Sequence, residues 1–369
     1  MRRILNRFYY IGVLMVAMAL LTACGANAAT PTAVPTAVPP AAPTSTTAPI
    51  VKSTATIAQA PATATTVSGG TATFKLAARI ADKVKNGQKL VIRVSYHDVS
   101  NEFAPQIKAG VESAASELKV DASMIGPIGA DAEKQVAELE SLITSGQMDG
   151  LAISSVSTDA LAPIINKALE AGIPVITFNT DNPRSNRLAF VGQDLVQSGY
   201  FAGDLIGKTM DGKGSIFITT LDAAAQWSLD REKGAREALA KYPDIKIVQT
   251  VNTGTEPQQI FSSIENAMLS HPDVTGILSM ECCSTPAAGD WVSRNNKKGQ
   301  VKIVGFDLLP KTLQYVKDGT IAATIGQGPE RQGHDAVKLV LDAINGKPVS
   351  TIDTGAEIVD STNIDKYIK

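Results

Sequence analysis

The side chains able to do chemistry in this sequence stand just past short apolar runs. Asn101 and Phe103 follow Leu90-Val91-Ile92-Arg93-Val94, and Asn179 and Asp181 follow Ile173-Pro174-Val175-Ile176-Thr177-Phe178. Trp227 and Arg231 follow Ser215-Ile216-Phe217-Ile218, and Glu281 follows Val274-Thr275-Gly276-Ile277-Leu278. Asp307 follows Val301-Lys302-Ile303-Val304, and Gln327 follows Ala322-Ala323-Thr324-Ile325-Gly326. Asp, Glu, Asn, Gln and Arg give and take paired hydrogen bonds, and charge-assisted bonds are about twice as strong as neutral ones. A ligand covered in hydroxyls needs such partners, because each buried hydroxyl left unpaired costs on the order of 1–3 kcal/mol. Aromatic faces cover the C–H side of such a ligand, and Trp keeps a donor while doing so.

Most of these residues also have a plainer role. Asn101 reads as a helix cap as well as a ligand contact. Phe103 could staple its own helix, Arg231 could pair with Glu232 or Glu237, Trp291 reads as core, and His97 and Asp98 stand on a loop that reaches either cleft or solvent. Cys282 and Cys283 are adjacent and follow the run that delivers Glu281. Neighbouring Cα atoms are only ~3.8 Å apart, short of the usual disulfide range. The pair is therefore read either as a vicinal disulfide beside the ligand or as two small buried hydrophobes.

Catalytic patterns are absent from the sequence. Gly203-Asp204-Leu205-Ile206-Gly207-Lys208-Thr209 looks like a phosphate loop, but it has one residue too few between its glycines and falls in an expected helix. There is no Gly-x-Gly-x-x-Gly after a strand, no His-Glu-x-x-His and no Gly-x-Ser-x-Gly. Asp181, Glu281 and Asp307 include no pair whose separation the sequence fixes, as glycoside hydrolysis would need. The chemistry is read as binding, with no cofactor and no metal.

The apolar runs must be strands, and the stretches between them helices. Leu90–94 is followed by an expected helix over 103–118, then Asp149-Gly150-Leu151-Ala152-Ile153, a helix over 158–171, and the run at 173–178. The rhythm resumes with Leu188-Ala189-Phe190-Val191 and continues through 215–218, Ile245-Lys246-Ile247-Val248, 274–278 and 301–304. Alternating β and α predicts parallel sheets with helices on both faces. About ten strands exceed one ordinary doubly wound sheet, so two similar lobes are expected. In open α/β sheets a ligand sits beyond the carboxyl ends of the strands, where the polar candidates lie.

The chain has 369 residues, 44% hydrophobic and 19% charged, which suits a soluble globular body. Its net charge is −2, yet residues 1–73 carry Arg2, Arg3, Arg7 and Lys52 and no acid, leaving 30 basic against 36 acidic side chains beyond. A mildly acidic body gives no footprint for nucleic acid. Three cysteines make no disulfide framework, and three histidines offer few soft metal sites. Basic Arg2, Arg3 and Arg7 precede an apolar run over 11–21, and Leu21-Thr22-Ala23-Cys24 closes it. This segment resembles a bacterial lipoprotein signal, which implies cleavage after residue 23, acylation of Cys24 and a lipid anchor outside the cytoplasm. Residues 24–73 are almost only Ala, Thr, Pro, Val and Ser, the composition of an extended linker.

Asp149-Gly150-Leu151-Ala152-Ile153, Ala171-Gly172-Ile173-Pro174-Val175-Ile176, Asn179-Thr180-Asp181, Val304-Gly305-Phe306-Asp307 and Ala322-Ala323-Thr324-Ile325-Gly326-Gln327 occur in that order. Together they resemble the type I periplasmic binding proteins of the ribose and galactose group, over roughly residues 89–360. LacI-type repressors share that fold, but they carry a helix-turn-helix where this chain has an export signal. The resemblance implies two doubly wound lobes joined by a three-crossover hinge, one of residues 74–193 with 328–356, the other of 194–327 with 357–369. It implies a monomer that closes on a monosaccharide or polyol and delivers it to an ABC-type permease. A sensory receptor module, or a binder of a nucleoside or furanosyl signalling molecule, is the alternative.

Carried over residue by residue, the resemblance gives Asn101 and Phe103 as an amide and a ring against the sugar. Asn179 falls where an Asp usually accepts hydroxyls, Arg231 matches the family's arginine donor, and Asp307 and Gln327 match hinge-side polar residues. The departures reduce stacking: Ala104 stands at a second aromatic position, Thr180 at an arginine, Thr255 at a further ring and Glu281 at an asparagine. Trp227, Tyr96 or Trp291 would have to supply the missing ring.

Overall fold

The computed structural model describes residues 74–368. The expected export signal, Cys24 and the linker, within 1–73, lie outside the described residues. In chain order, α1 (Ala78–Lys85), β1 (Val91–Ser95), α2 (Ala104–Glu117), β2 (Asp121–Ile125), α3 (Ala132–Ser145), β3 (Gly150–Ile153), α4 (Thr158–Glu170), β4 (Val175–Phe178) and β5 (Ala189–Gly192) come first. Next are α5 (Leu195–Thr209), β6 (Lys213–Thr220), α6 (Gln226–Leu239), β7 (Asp244–Asn252), α7 (Pro257–Ser270), β8 (Gly276–Ser279) and α8 (Ser284–Arg294). The chain ends with β9 (Lys302–Phe306), α9 (Pro310–Asp318), β10 (Ala323–Gly326), α10 (Pro329–Ile344), β11 (Ile352–Asp353) and β12 (Glu357–Asp360).

Two six-stranded sheets result, in the orders β11-β5-β4-β3-β1-β2 and β12-β10-β9-β8-β6-β7. The first is parallel throughout; in the second, β12 runs antiparallel to β10, a departure from the all-parallel expectation. Strands β3, β4, β5, β8 and β10 are buried at every position. A strand covered by helices on both faces has no solvent side, so it reads as a continuous apolar run. The edge strand β2 is half-buried along its length, and its Asp-Ala-Ser-Met-Ile carries no such run. Helix α1 precedes the first apolar run: it buries only Ile80 and is held electrostatically. Arg79 and Lys83 converge on the buried carboxylate of Asp149, at 2.7 and 2.8 Å, and the same carboxylate accepts the Val91 N–H at 2.9 Å.

Each sheet has its own apolar core, one including Ile92, Leu151 and Phe178, the other Phe217, Ile277 and Phe306. The lobes also reach into each other: Val156 packs into the second core, and Cys282 and Leu309 pack into the first. The chain passes between the sheets three times, from β5 to α5, from β10 to α10 and from β11 to β12. Gly328 and Gly355, in the second and third crossings, hold φ of 65° and 79°, where a Cβ would be strained. Gln193, in the first crossing, ties all three together. Its Nε2 donates to the carbonyls of Gly326 and Gly355, at 3.3 and 3.0 Å.

Helices α5 and α6 cross backbone to backbone. A Cβ at Gly234 would lie 1.8 Å from the Val196 carbonyl oxygen, and one at Gly199 would lie 2.0 Å from that of Arg231. The phosphate-loop lookalike falls inside α5, away from any strand-to-helix turn. No helix of the described residues is long and apolar enough to cross a membrane.

Candidate functional site: a cavity between the lobes

The carboxyl ends of both sheets face one cavity, with about 400 Å³ of space between atoms when the open solvent at its mouth is included. The first lobe contributes Tyr96 and His97 after β1, Asn101 and Phe103 at the head of α2, and Asn179 and Thr180 after β4. The second contributes Trp227 and Arg231 on α6, Glu281 and Cys282 after β8, and Asp307 after β9; Gln327 follows β10.

Asn101 stands two residues ahead of the N-cap of α2. Its Oδ1 accepts the N–H groups of Phe103 and Ala104, at 3.1 and 3.0 Å, while the residue lines the cavity. Phe103 is buried, its ring 6.5 Å from that of Tyr96. Asn179 holds a left-handed φ of 59°, which Asn tolerates better than bulkier residues. Its Nδ2 donates to Gln332 Oε1 at 3.0 Å, and its Oδ1 accepts from Ser154 at 3.2 Å. Asp307, at φ 73°, accepts from Gln327 Nε2 at 2.7 Å.

Arg231 is 3% exposed, and its guanidinium lies 4.0 Å from the centroid of the Phe306 ring. Nη1 donates to the Met280 carbonyl at 2.7 Å and Nη2 to Gln193 Oε1 at 3.1 Å, leaving Nε without a partner among the described residues. Trp227 Nε1 is likewise buried and unpartnered. Both residues line the cavity, and because a buried unpaired donor costs on the order of 1–3 kcal/mol, a ligand that accepts from them gains affinity there. Burial pulls the Arg231 pKa down, against the attraction of Asp307 and Glu281. Burial pushes the Asp307 carboxyl up against the Arg231 charge, and pushes Glu281 up against its hydrogen bonds to Ser284 and Cys283.

Several sequence candidates sit elsewhere. Asp181 is not brought to the cavity: its carboxylate is taken by the Arg187 guanidinium, by Thr177 Oγ1 at 2.5 Å and by the Asn182 N–H at 2.7 Å. Asp98 organises its loop, accepting from Ser100 and Gly129, and Ala104 and Thr255 do not line the cavity. Trp291 is in the second core. His97, by contrast, lines the cavity, bonded to Ser154 at 2.8 Å, and burial pulls its pKa to about 4. Gln193 and Gln332 were not among the candidates. Gln332 is buried, donating to the Gln327 carbonyl at 2.8 Å and accepting from Asn179.

Two lobes, three crossings and a polar cavity at the strand ends define a protein that closes around a small ligand. The model of the periplasmic binding protein domain family matches residues 92–348, and the chain belongs to that family, which works outside the cytoplasm. The chain is 29% identical to the xylose/arabinose-binding protein XylF of Sulfolobus acidocaldarius, over 74% of this chain and 71% of that one. It is 25% identical to the ribose import binding protein RbsB of Bacillus subtilis, over 72% and 85%. An ABC transporter solute-binding protein from Burkholderia graminis, solved with D-arabinose, superposes with a TM-score of 0.72 at 29% identity, covering 76% of this chain and 98% of that one.

Proposed function

We propose that this protein captures a monosaccharide or polyol between its lobes, outside the cytoplasm, and delivers it to the transmembrane subunits of an ABC-type permease. The observation that carries the proposal is the cavity itself, where Trp227 and Arg231, each with a buried donor unpartnered among the described residues, stand with carboxylates and amides drawn from both lobes. A hydroxyl-rich ligand answers both kinds of group at once. The sugars bound by the relatives named above agree with this chemistry. Ligand contacts to both lobes favour the closed state, and closure is what a permease can read. In this proposal Asn101, Phe103, Asn179, Trp227, Arg231, Glu281, Asp307 and Gln327 hold the ligand, and an acylated Cys24 tethers the chain to the membrane.

The test is thermal unfolding of the full extracytoplasmic chain, stripped of ligand by refolding, against pentoses, hexoses, polyols and nucleosides. A ligand at 100 times its Kd adds about 2.7 kcal/mol to stability. Stabilisation by a sugar or polyol is the expected result. Stabilisation by nucleosides alone, or by nothing in the panel, overturns the assignment of ligand class.

A further inference from the structure

Sugar capture leaves the two adjacent cysteines without a task. Their Sγ atoms lie 2.7 Å apart. Cys282 is 4% exposed, lines the cavity and, although it belongs to the second lobe, packs among the apolar residues of the first. Cys283 is half-buried and packs against both cores. The main chain here is fixed by Glu281, whose carboxylate accepts the N–H of Cys283 at 2.6 Å and that of Ser284 at 3.1 Å.

We propose that Cys282 and Cys283 are joined in the exported protein by a vicinal disulfide that forms part of the cavity wall and lies in the seam between the lobes. A soft-metal site is the competing reading, because Glu281, Cys282 and Cys283 bring their ligand atoms within 4.8 Å of one another. Metal binding requires thiolates. The hydrogen bond to Cys283 and burial push the Cys282 thiol well above its ordinary range, and the charges of Glu281 and Asp307 push it further. Glu281 already accepts the N–H groups of Cys283 and Ser284, with which a metal would compete for the same oxygens. A disulfide is uncharged, so the same burial and the same carboxylates impose no such penalty on it. Outside the cytoplasm no glutathione or thioredoxin pool holds a close thiol pair reduced.

The oxidant is an external disulfide, small or protein-borne. The more exposed Cys283, as thiolate, attacks one sulfur of it and expels the first external thiol. Cys282, losing its proton, then attacks the Cys283 sulfur of the mixed disulfide and expels the second. Two protein thiols become one disulfide, and the external disulfide is reduced to two thiols. Adjacent Cα atoms are closer than most disulfides allow, which makes the bond more readily reduced than usual. The first lobe covers Cys282 in this closed arrangement and leaves Cys283 half-buried, so reductant reaches the pair faster when the lobes part.

The exported chain is denatured in iodoacetamide without reductant and digested with trypsin. The peptide spanning residues 247–294 holds both cysteines and no other. It is expected unalkylated and lighter by two hydrogens than its reduced form; finding both thiols alkylated overturns the proposal. Native protein is then reduced with dithiothreitol, with and without the sugar that stabilises it in the unfolding panel. Saturating sugar is expected to slow reduction several-fold, and equal rates overturn the placement in the seam. This second arm rests on the proposed sugar capture, whereas the peptide mass needs no ligand, so the two failures are distinguishable.

Discussion

Trp227 illustrates how a single atom separates stability from binding. Its indole is buried, but Nε1 donates to nothing among the described residues. Trp227→Phe therefore removes an unsatisfied donor from the ligand-free protein and a satisfied one from the complex. Its melting temperature without ligand is expected to be largely preserved. Affinity for the sugar should fall by roughly tenfold, the worth of one hydrogen bond of about 1–1.5 kcal/mol, as titration calorimetry would read. A parallel loss of both would mean that the ring, and not the donor, is what the site uses. His97 separates the same two quantities along pH. Its folded pKa of about 4 lies below the unfolded value of 6.5, so the unfolded chain takes up the proton first. Its contribution is whole above about pH 6.5 and is lost as pH falls toward 4, by up to roughly 3 kcal/mol. Burial raises Glu281 and Asp307, which act in the opposite sense, and the charge of Asp98 opposes the His97 shift. The difference in pH-dependent melting between the wild type and His97→Asn isolates the histidine, and identical slopes from pH 4 to 6.5 would contradict its neutral burial.

At the scale of elements, what the sequence made legible was what both faces of a sheet impose locally. Strands β3, β4, β8 and β9 announce themselves as apolar runs because helices cover both their faces, and the polar residues after them fall at the cavity because strand ends do. Strand β2 and helix α1 bury too little to leave a pattern. Asp181 misleads because its fate is decided six residues away, where Arg187 captures it. Gln193 acquires its role only when three crossings distant in sequence are brought together, which no local pattern encodes. Helices α5 and α6 supply the element-scale prediction. Gly199 lies against the Arg231 carbonyl, so Gly199→Ala must push apart the pair of helices that aims the guanidinium. Overpacking of this kind costs about 1–3 kcal/mol. Stability in urea is expected to fall by that amount and sugar affinity to fall with it, whereas retention of full affinity would detach the α5–α6 contact from the aim of Arg231.

The whole molecule is held closed by contacts that no single lobe could make. Between the lobes, the Gln226 N–H at the start of α6 donates to the Val156 carbonyl at 3.0 Å, and Thr158 Oγ1 at the start of α4 donates to Gln226 Oε1 at 2.7 Å. Gln226 is the first residue of its helix, a position where proline is well tolerated because its N–H has no partner within the helix. The preceding Ala225 already holds φ −60° and ψ 139°, the extended geometry that proline demands of its neighbour. Gln226→Pro therefore removes both bonds across the cleft while suiting the helix. Each bond contributes on the order of 1 kcal/mol, so the closed state loses roughly 1–3 kcal/mol relative to the open one. Since ligand binds the closed form, affinity should fall as the closed form is depopulated, by up to about 5-fold to 150-fold. Small-angle scattering of the ligand-free variant should show a larger radius of gyration than the wild type, returning to the wild-type value at saturating sugar. The opposite result, full affinity and an unchanged radius, would place the closing free energy in the hinge around Gln193 and Gln332, and Gln193→Met would then become the variant that opens the molecule.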